Sequence, residues 1–210
     1  MARPIVLATS RLPAELAVAV PVPGNGLRIL IGMVMAESPD RRRCVREVER
    51  VFRTVAARPG VALSDVVAAL EPVTRWYAPG GYISATLVHV SPAGATHVLR
   101  CGGPQILAIS ATTAGPDPMT YTVIDPGPGG PPLGLGAIRA TACAVPDDAR
   151  IVVLTTEYAF AHFHDYHDSV QQAVQVRNAD LAAVQLLIGP ATTTAGTSLA
   201  GPILILDPVT

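Results

Sequence analysis

The feature that most constrains this chain is a β-hairpin pattern over residues 82–104. From position 83 to position 90 the side chains alternate between the two faces of a strand. Residues 91–94, Ser-Pro-Ala-Gly, supply the turn, because proline restricts φ and glycine accepts a positive φ. A second β-rich run over residues 96–99 follows. The pattern therefore predicts two antiparallel strands in the middle of the chain.

Length and composition predict one globular domain over residues 1–210. Half of the residues are hydrophobic and 15% are charged, which excludes a disordered chain. The net charge of −1 gives no electrostatic reason to expect nucleic acid or an anionic membrane as a partner. Three cysteines are too few for a disulfide framework, and no run of transmembrane length is free of proline, glycine and charge. These observations predict a cytoplasmic protein.

Apolar runs bounded by turn residues predict further strands. They lie at residues 16–20, 27–35, 105–110, 121–124, 151–155 and 203–206. Residues 114–132 are rich in glycine and proline and predict a flexible surface loop around the strand at 121–124. Residues 169–188 predict one or two helices with a break at Asn178. Strand runs flanked by helices predict an α+β layered sandwich.

Two helices are predicted between the strands at 27–35 and 82–90. The first opens with Ser38 as N-cap and Pro39 as the first helical residue, and its apolar positions over residues 44–55 recur at helical spacing. The arginines on its other face predict a solvated surface. The second runs from residue 66 to 71, where Pro72 stops or kinks it.

Four further residues draw attention. Trp76, Tyr77 and Tyr82 bracket a Gly-rich loop, where core packing is the expected role and lining a pocket is the alternative. Cys101 ends the central hairpin, where a small buried hydrophobe is expected rather than a nucleophile, because no basic partner stands beside it in the sequence.

The order of several short motifs resembles the SpoIIE-like branch of the metal-dependent protein phosphatase (PPM) superfamily. The family's central "ATLV" is matched by residues 85–88, its "GHPPPLLL" by residues 102–107, and its "PLGL" by residues 132–135. Its "LLLYTDG" strand aligns with residues 151–157, and its "LIGDVRGKG" aligns with the run that begins at Leu30. The resemblance extends over about residues 15–206 and implies an αββα sandwich of two antiparallel sheets flanked by helices.

In active members of that family, two metal ions, usually Mn²⁺ or Mg²⁺, activate a water that attacks the phosphate. The resemblance places four metal-binding acidic positions on Glu15, Met33, Thr156 and Ala200, and the family's "GHP" histidine on Gly103. A thioether is a poor ligand for these hard cations, which need oxygen donors. The resemblance therefore implies a degenerate member with no bound metal cofactor.

A histidine cluster offers other chemistry. Residues 160–168 read Phe-Ala-His-Phe-His-Asp-Tyr-His-Asp, and Glu157 lies just before them. The candidate groups for acid–base catalysis are Glu157, His162, His164, Asp165 and His167. Some of them would share a face of a strand or helix, and they could also contribute to a Zn²⁺ or Ni²⁺ site. The alternative is a solvated polar loop.

Loss of the metal residues would leave a less polar cleft between the sheets. The expected lining is Met33, Met35, Thr155, Thr156, Gly102 and Gly103.

Three functions follow from these observations. The leading hypothesis is a pseudophosphatase that binds a regulatory protein partner. The second is a phosphatase fold reused as another enzyme or as a binder of a small apolar ligand. The third is a residually active metal-dependent phosphatase. Whether the chain is an enzyme stays open at this point, and so does its oligomeric state, with a homodimer as one alternative.

Overall fold

The computed structural model describes residues 3–9, 12–36, 40–103, 106–111, 119–124, 129–136, 142–155, 176, 178–188 and 201–208. Within these residues the chain forms ten β-strands and three α-helices. The strands are β1 (Ile5–Ala8), β2 (Glu15–Val22), β3 (Gly26–Met35), β4 (Tyr82–Val90), β5 (Thr96–Cys101), β6 (Ile106–Ala111), β7 (Met119–Ile124), β8 (Cys143–Val145), β9 (Arg150–Val153) and β10 (Ile203–Leu206). The helices are α1 (Arg41–Ala56), α2 (Leu63–Tyr77) and α3 (Ala179–Ile188).

The strands form two antiparallel sheets of five strands each. Sheet I has the order β1-β10-β9-β6-β7, and sheet II has the order β2-β3-β4-β5-β8. Every strand pair within both sheets is antiparallel. The predicted α+β sandwich of two antiparallel sheets is therefore confirmed.

Three apolar layers hold the sandwich together. Residues such as Ile29, Ile31 and Val88 of sheet II pack with Ile151 and Leu204 of sheet I in the layer between the sheets. A second layer lies between sheet II and the pair α1 and α2. A third lies between sheet I and α3. The order of layers is αββα, because each sheet buries one face on the other sheet and one face on helices.

The central hairpin is confirmed as β4 and β5. Val90 pairs with Thr96 at its closed end, where the N–H of Ser91 donates a hydrogen bond to the carbonyl oxygen of Ala95 (2.8 Å). The hairpin lies in the middle of sheet II, where β4 pairs with β3 on one side and β5 pairs with β8 on the other. The strands predicted at 16–20, 27–35, 105–110, 121–124, 151–155 and 203–206 correspond to β2, β3, β6, β7, β9 and β10.

The described part of helix α1 begins at Arg41. Its first helical hydrogen bond runs from the N–H of Cys44 to the carbonyl oxygen of Asp40 (3.0 Å), so Asp40 takes the N-cap position and Arg41 is the first helical residue. Ser38 and Pro39, the predicted N-cap and first helical residue, lie outside the described residues. The predicted inward face is confirmed, since Cys44, Val48 and Phe52 are buried.

Helix α2 is longer than predicted and continues through Pro72. It starts at Leu63, with Ala62 in the N-cap position, and ends at Tyr77. Pro72 lies on the exposed face, where water can reach the carbonyl of Ala68 that loses its N–H partner. On the opposite face, Leu70 and Thr74 stay buried and hold the helix to sheet II. Burial of this face therefore outweighs the helix-breaking effect of Pro72.

The extension of α2 also changes the environment of Trp76. The side chain of Trp76 is 78% exposed, so the predicted core packing of this residue was wrong. Tyr77 packs against the core under the helices and carries the guanidinium of Arg43 over its ring, 5.3 Å from the centroid. Among the described residues, no helix has the length and apolarity needed to cross a bilayer.

The break predicted at Asn178 marks the start of α3. Its side-chain Oδ1 accepts a hydrogen bond from the N–H of Leu181 (3.1 Å), and its carbonyl oxygen accepts one from Ala182 (3.0 Å). Asn178 is therefore a capping residue. Strands β1 and β8 were not predicted, and most of residues 169–177 lie outside the described residues.

Arg28 ties the helical layer to sheet II. Its side chain is 1% exposed, and its guanidinium donates to the carbonyl oxygens of Ala56 (2.7 Å), Arg58 (2.9 Å) and Val61. These carbonyls lie at the end of α1 and in the turn before α2. A cation beside the last carbonyls of a helix also offsets the negative end of the helix dipole.

We expect Arg28→Met to destabilise the protein by about 2–4 kcal/mol, because three carbonyls lose a charged donor. Chemical denaturation measures the change. Arg53→Met is the matched control, since Arg53 is exposed on α1, and it should change stability by less than about 0.5 kcal/mol. Equal effects of the two substitutions would show that Arg28 does not anchor the helices.

The three cysteines differ in accessibility. Burial raises the pKa of the Cys44 thiol to about 11 and, with the nearby Glu71 carboxylate as a further cause, the pKa of the Cys101 thiol to about 12. Both thiols therefore stay protonated at pH 8. Cys143 is half-buried.

We expect one fast-reacting thiol per native chain when Ellman's reagent is added at pH 8, and three after denaturation. Cys143→Ser should remove the fast phase, because the thiolate is the reactive form and Cys44 and Cys101 are protonated and buried. A fast phase that persists in Cys143→Ser would contradict the burial of the other two.

Candidate functional site

The first two predicted metal positions are neighbours across two strands. Glu15, the first residue of β2, pairs with Met33 of β3. Both side chains are largely buried, at 7% and 6% exposure. Directly paired residues in an antiparallel sheet have Cβ atoms about 4.5–5.5 Å apart. The structure thus brings together the two positions that the resemblance assigned to one metal centre.

Met33 joins this position to the central hairpin. It pairs on its other side with Ser84 of β4, whose Oγ donates to the carbonyl oxygen of Gly102 (2.9 Å). The side chains of Met33 and Met35 pack with the apolar core under α1 and α2. Two of the predicted cleft residues therefore meet at Ser84 of β4. Met33 pairs with Ser84 across the sheet, and the carbonyl oxygen of Gly102 accepts the hydrogen bond of the Ser84 hydroxyl.

Gly103 lies against a buried hydroxyl of the same strand. A Cβ added to Gly103 would lie 2.8 Å from Oγ1 of Thr86. This hydroxyl is buried and has no hydrogen-bond partner among the described residues. The histidine expected by the resemblance is thus replaced by a residue without a side chain, and the space beside it holds the Thr86 hydroxyl.

Sheet I contributes a similar pair. Thr155 follows β9, and a Cβ on Gly201, just before β10, would lie 2.1 Å from its Oγ1. The Thr155 side chain is 2% exposed, and its hydroxyl has no hydrogen-bond partner within the described part of the chain. Any side chain at position 201 would displace Thr155.

The topology places both hydroxyls at one end of the sandwich. The chain crosses from sheet II to sheet I between Gly103 and Ile106. Gly103 contacts Thr86, and Ile106 pairs with Val153, two residues before Thr155. A buried hydroxyl without a partner carries a desolvation cost. This end of the sandwich thus holds two buried hydroxyls that have no partner among the described residues.

A cavity beside Glu15 has cationic walls. It measures about 340 Å³ and is lined by Leu12, Pro13, Glu15, Val45 and the exposed arginines Arg42 and Arg46 of α1. The two arginines are four residues apart and therefore lie on one face of the helix. The charged groups that line this cavity with Glu15 are thus the guanidinium groups of Arg42 and Arg46.

Within the described residues, the candidate positions do not fit a pair of hard divalent cations. Of the four positions that the resemblance assigns to metal ligands, Glu15 alone carries a carboxylate, and Met33 offers a buried thioether. Mn²⁺ and Mg²⁺ prefer oxygen ligands, several of them charged. Across the ranges that the structure describes, no three His, Cys, Asp or Glu side chains are grouped as a metal site needs.

The remaining predicted site residues lie outside the described residues. They are the metal positions Thr156 and Ala200 and the acid–base candidates Glu157, His162, His164, Asp165 and His167. Their roles stay predictions.

Thr86 and Gly201 were not predicted from the sequence. Thr86 is one polar residue in an alternating strand, and Gly201 lies in a small-residue run, so neither has a local signal. Their contacts with Gly103 and Thr155 connect residues 17 and 46 positions apart in the sequence, which only the fold reveals.

Comparison with known proteins supports the fold. No protein-family model matches the chain, and no curated protein matches it either. The RsbU and RsbW domains of Rv1364c from Mycobacterium tuberculosis match with a TM-score of 0.74 and 15% identity, over 99% of this chain and 61% of that one.

Two further solved structures agree. The PP2C phosphatase domain of SpoIIE from Bacillus subtilis matches with a TM-score of 0.66 and 9% identity, over 100% of this chain and 64% of that one. The PPM Ser-Thr phosphatase MsPP from Mycobacterium smegmatis matches with a TM-score of 0.66 and 10% identity, over 100% of both chains. The chain thus spans less than two thirds of the first two structures, and it has the fold of the PP2C (PPM) phosphatases.

Proposed function

We propose that this chain is a catalytically degenerate homologue of the PPM phosphatases that acts by binding a regulatory protein partner. The observation that carries the proposal is the Glu15–Met33 pair. The resemblance expects a metal carboxylate at each of these two positions, and the second holds a buried thioether. A water bound to a dinuclear metal centre is the nucleophile in the family, and a centre without its carboxylates lacks the charge balance it needs.

Three features support loss of the family's metal-dependent reaction. The carboxylate of Glu15 lines a cavity with two guanidinium groups. Gly103 stands where the resemblance expects histidine, and a Cβ at this position would lie 2.8 Å from Oγ1 of Thr86. Thr156 and Ala200, the other two metal positions, are not carboxylates. A fold can persist after its site is lost, because fold and site are separate properties.

A regulatory role is favoured because the fold that recognises a phosphoprotein can still bind a partner after hydrolysis is lost. The structural neighbours include the phosphatase domain of the cell fate determinant SpoIIE and a protein that joins an RsbU domain to an RsbW domain. By analogy with these neighbours, we expect this chain to work as a phosphatase-fold domain within a regulatory assembly.

A second candidate function is a binder of a small polar or partly apolar molecule between the sheets. The observation that favours it is the pair of buried hydroxyls of Thr86 and Thr155 at one end of the sandwich. Such groups are the kind of convergent polar contacts that orient a ligand in an otherwise apolar pocket. Thermal-shift screening of a metabolite library would identify such a ligand.

We expect the purified protein to show no saturable Mn²⁺ or Mg²⁺ binding by calorimetry and no turnover of p-nitrophenyl phosphate with either ion. Glu15→Gln is the matched control, and it should leave both results unchanged. Saturable Mn²⁺ binding with turnover, both lost in Glu15→Gln, would overturn the proposal and support the residually active phosphatase.

Met33→Asp tests the missing ligand directly. A second carboxylate beside the buried Glu15 is costly, because burial and like-charge repulsion both disfavour its charged form. We therefore expect the variant to lose about 3 kcal/mol or more of stability in the absence of metal. Mn²⁺ should restore part of the loss, because an ion that binds the folded state alone stabilises it. The wild-type melting temperature should not respond to Mn²⁺. A wild-type protein that Mn²⁺ stabilises as much as it stabilises Met33→Asp would contradict the assignment of Met33 to a lost metal position.

A further inference from the structure

The cavity beside Glu15 carries a charge pattern that partner binding does not explain. Its volume of about 340 Å³ lies in the range of sites for small molecules. Its charged lining consists of Glu15, Arg42 and Arg46, and its apolar lining consists of Leu12, Pro13 and Val45. The lining therefore combines two positive charges with one negative charge and leaves a surplus of one positive charge.

The two arginines of the cavity differ from the arginines beside them in α1. Arg41 donates a hydrogen bond to a backbone carbonyl oxygen, and the guanidinium of Arg43 lies over the ring of Tyr77. Arg42 and Arg46 make no hydrogen bond or ion pair with any residue that the structure describes. Like charges one helical turn apart repel each other, so an anionic group between these two would stabilise this part of the helix.

The position of Arg42 in the helix adds to this effect. It lies in the first turn of α1, where the helix dipole favours negative charge, and that turn contains no acidic residue. The first acidic residue of the helix is Glu47, which pairs with Arg50 (2.9 Å). Residues that break such a local preference are expected mainly at functional sites. The pattern therefore favours an anionic ligand group beside Arg42 and Arg46.

Glu15 determines what else the ligand must carry. This residue is 7% exposed, and an ionised carboxylate is only an acceptor of hydrogen bonds. A plain anion such as inorganic phosphate would place like charge against it. An ammonium group complements a carboxylate in both charge and hydrogen bonding. The lining thus selects a molecule with a cationic donor at one end and negative charge at the other.

We propose that this cavity binds a small aminodicarboxylate of the aspartate and glutamate class. The ligand's ammonium donates to the Glu15 carboxylate, and its two carboxylates pair with Arg42 and Arg46. One positive and two negative ligand charges match the two positive and one negative charges of the lining. The short carbon chain of the ligand lies against the apolar side chains. This ligand is separate from the protein partner of the proposed function.

The test is calorimetric titration of the intact chain with L-glutamate and L-aspartate at low ionic strength. We expect saturable binding of at least one of them, with a dissociation constant below about 1 mM, and weaker binding as salt screens the exposed arginines. Glutarate lacks the ammonium and 4-aminobutyrate lacks one carboxylate. Each should bind about tenfold or more weakly than L-glutamate, because a charged group of the lining then has no ligand partner.

Variants of the two arginines localise the binding. Arg42→Gln and Arg46→Gln should each weaken the binding of the amino acid about tenfold or more. Arg53→Gln is the matched control, since Arg53 is exposed on the same helix about two turns beyond Arg46, and it should change the affinity less than about twofold. Circular dichroism confirms that each variant is folded.

Glu15→Gln tests the ammonium contact separately from the fold. The variant should bind L-glutamate about tenfold or more weakly than the wild type does. It should bind glutarate at least as well as the wild type does, because the negative charge that repels this ligand has been removed. Equal loss of both ligands in a folded variant would overturn the ammonium contact.

Three other results would overturn the proposal. They are no saturable binding of either amino acid, wild-type binding of glutarate or inorganic phosphate as tight as that of L-glutamate, and unchanged binding in Arg42→Gln and Arg46→Gln. Loss of the metal-dependent reaction is tested by Mn²⁺ binding and turnover, so the failure of one proposal is distinguishable from the failure of the other.

Discussion

The arrangement of helices on sheet II depends on one buried cation. Arg28 lies in β3, between β2 and β4, and its guanidinium reaches the end of α1 and the turn that leads into α2. A buried charge is tolerated only where it is well hydrogen-bonded, so the carbonyls of that turn must stay within its reach. The orientation of α2 follows from this anchor at its start. The pocket on α2 lined by Trp76 and the cavity beside Glu15 both use walls made by these helices. Arg28 lines neither, yet the position of both walls depends on it.

Much of the fold could be predicted from local pattern and order of motifs. The alternation at residues 83–90 and the apolar run of β3 identify strands that are buried in the middle of sheet II, because burial selects a regular sequence. The layered architecture came from the resemblance and was confirmed by the structure. Prediction failed where tertiary contacts outweigh local preference. Pro72 suggests the end of a helix, yet the buried face of α2 carries the helix past it.

The candidate site could be predicted only in part. The resemblance placed Glu15 and Met33 at two metal positions, and the structure pairs these residues across β2 and β3. Their assignment as metal positions stays a prediction. No periodicity in the sequence relates Thr86 to Gly103 or Thr155 to Gly201, since these contacts arise from where the chain crosses between sheets. The prediction that Trp76 packs in the core was wrong for a different reason. The large apolar ring of Trp76 suggests burial, and its exposure depends on the direction in which α2 presents that position.

The pairing of β1 with β10 has a consequence for how the chain folds. Ile5 pairs with Leu206 and Ala8 with Ile203, so a strand near the start of this sequence pairs with one about 200 residues later. Sheet II, in contrast, is assembled from strands between Glu15 and Val145. During synthesis, sheet II and its two helices can form while β10 is still inside the ribosome. The inner face of sheet II then stays uncovered until sheet I closes over it, which is the interval in which chaperone binding or aggregation would compete with folding.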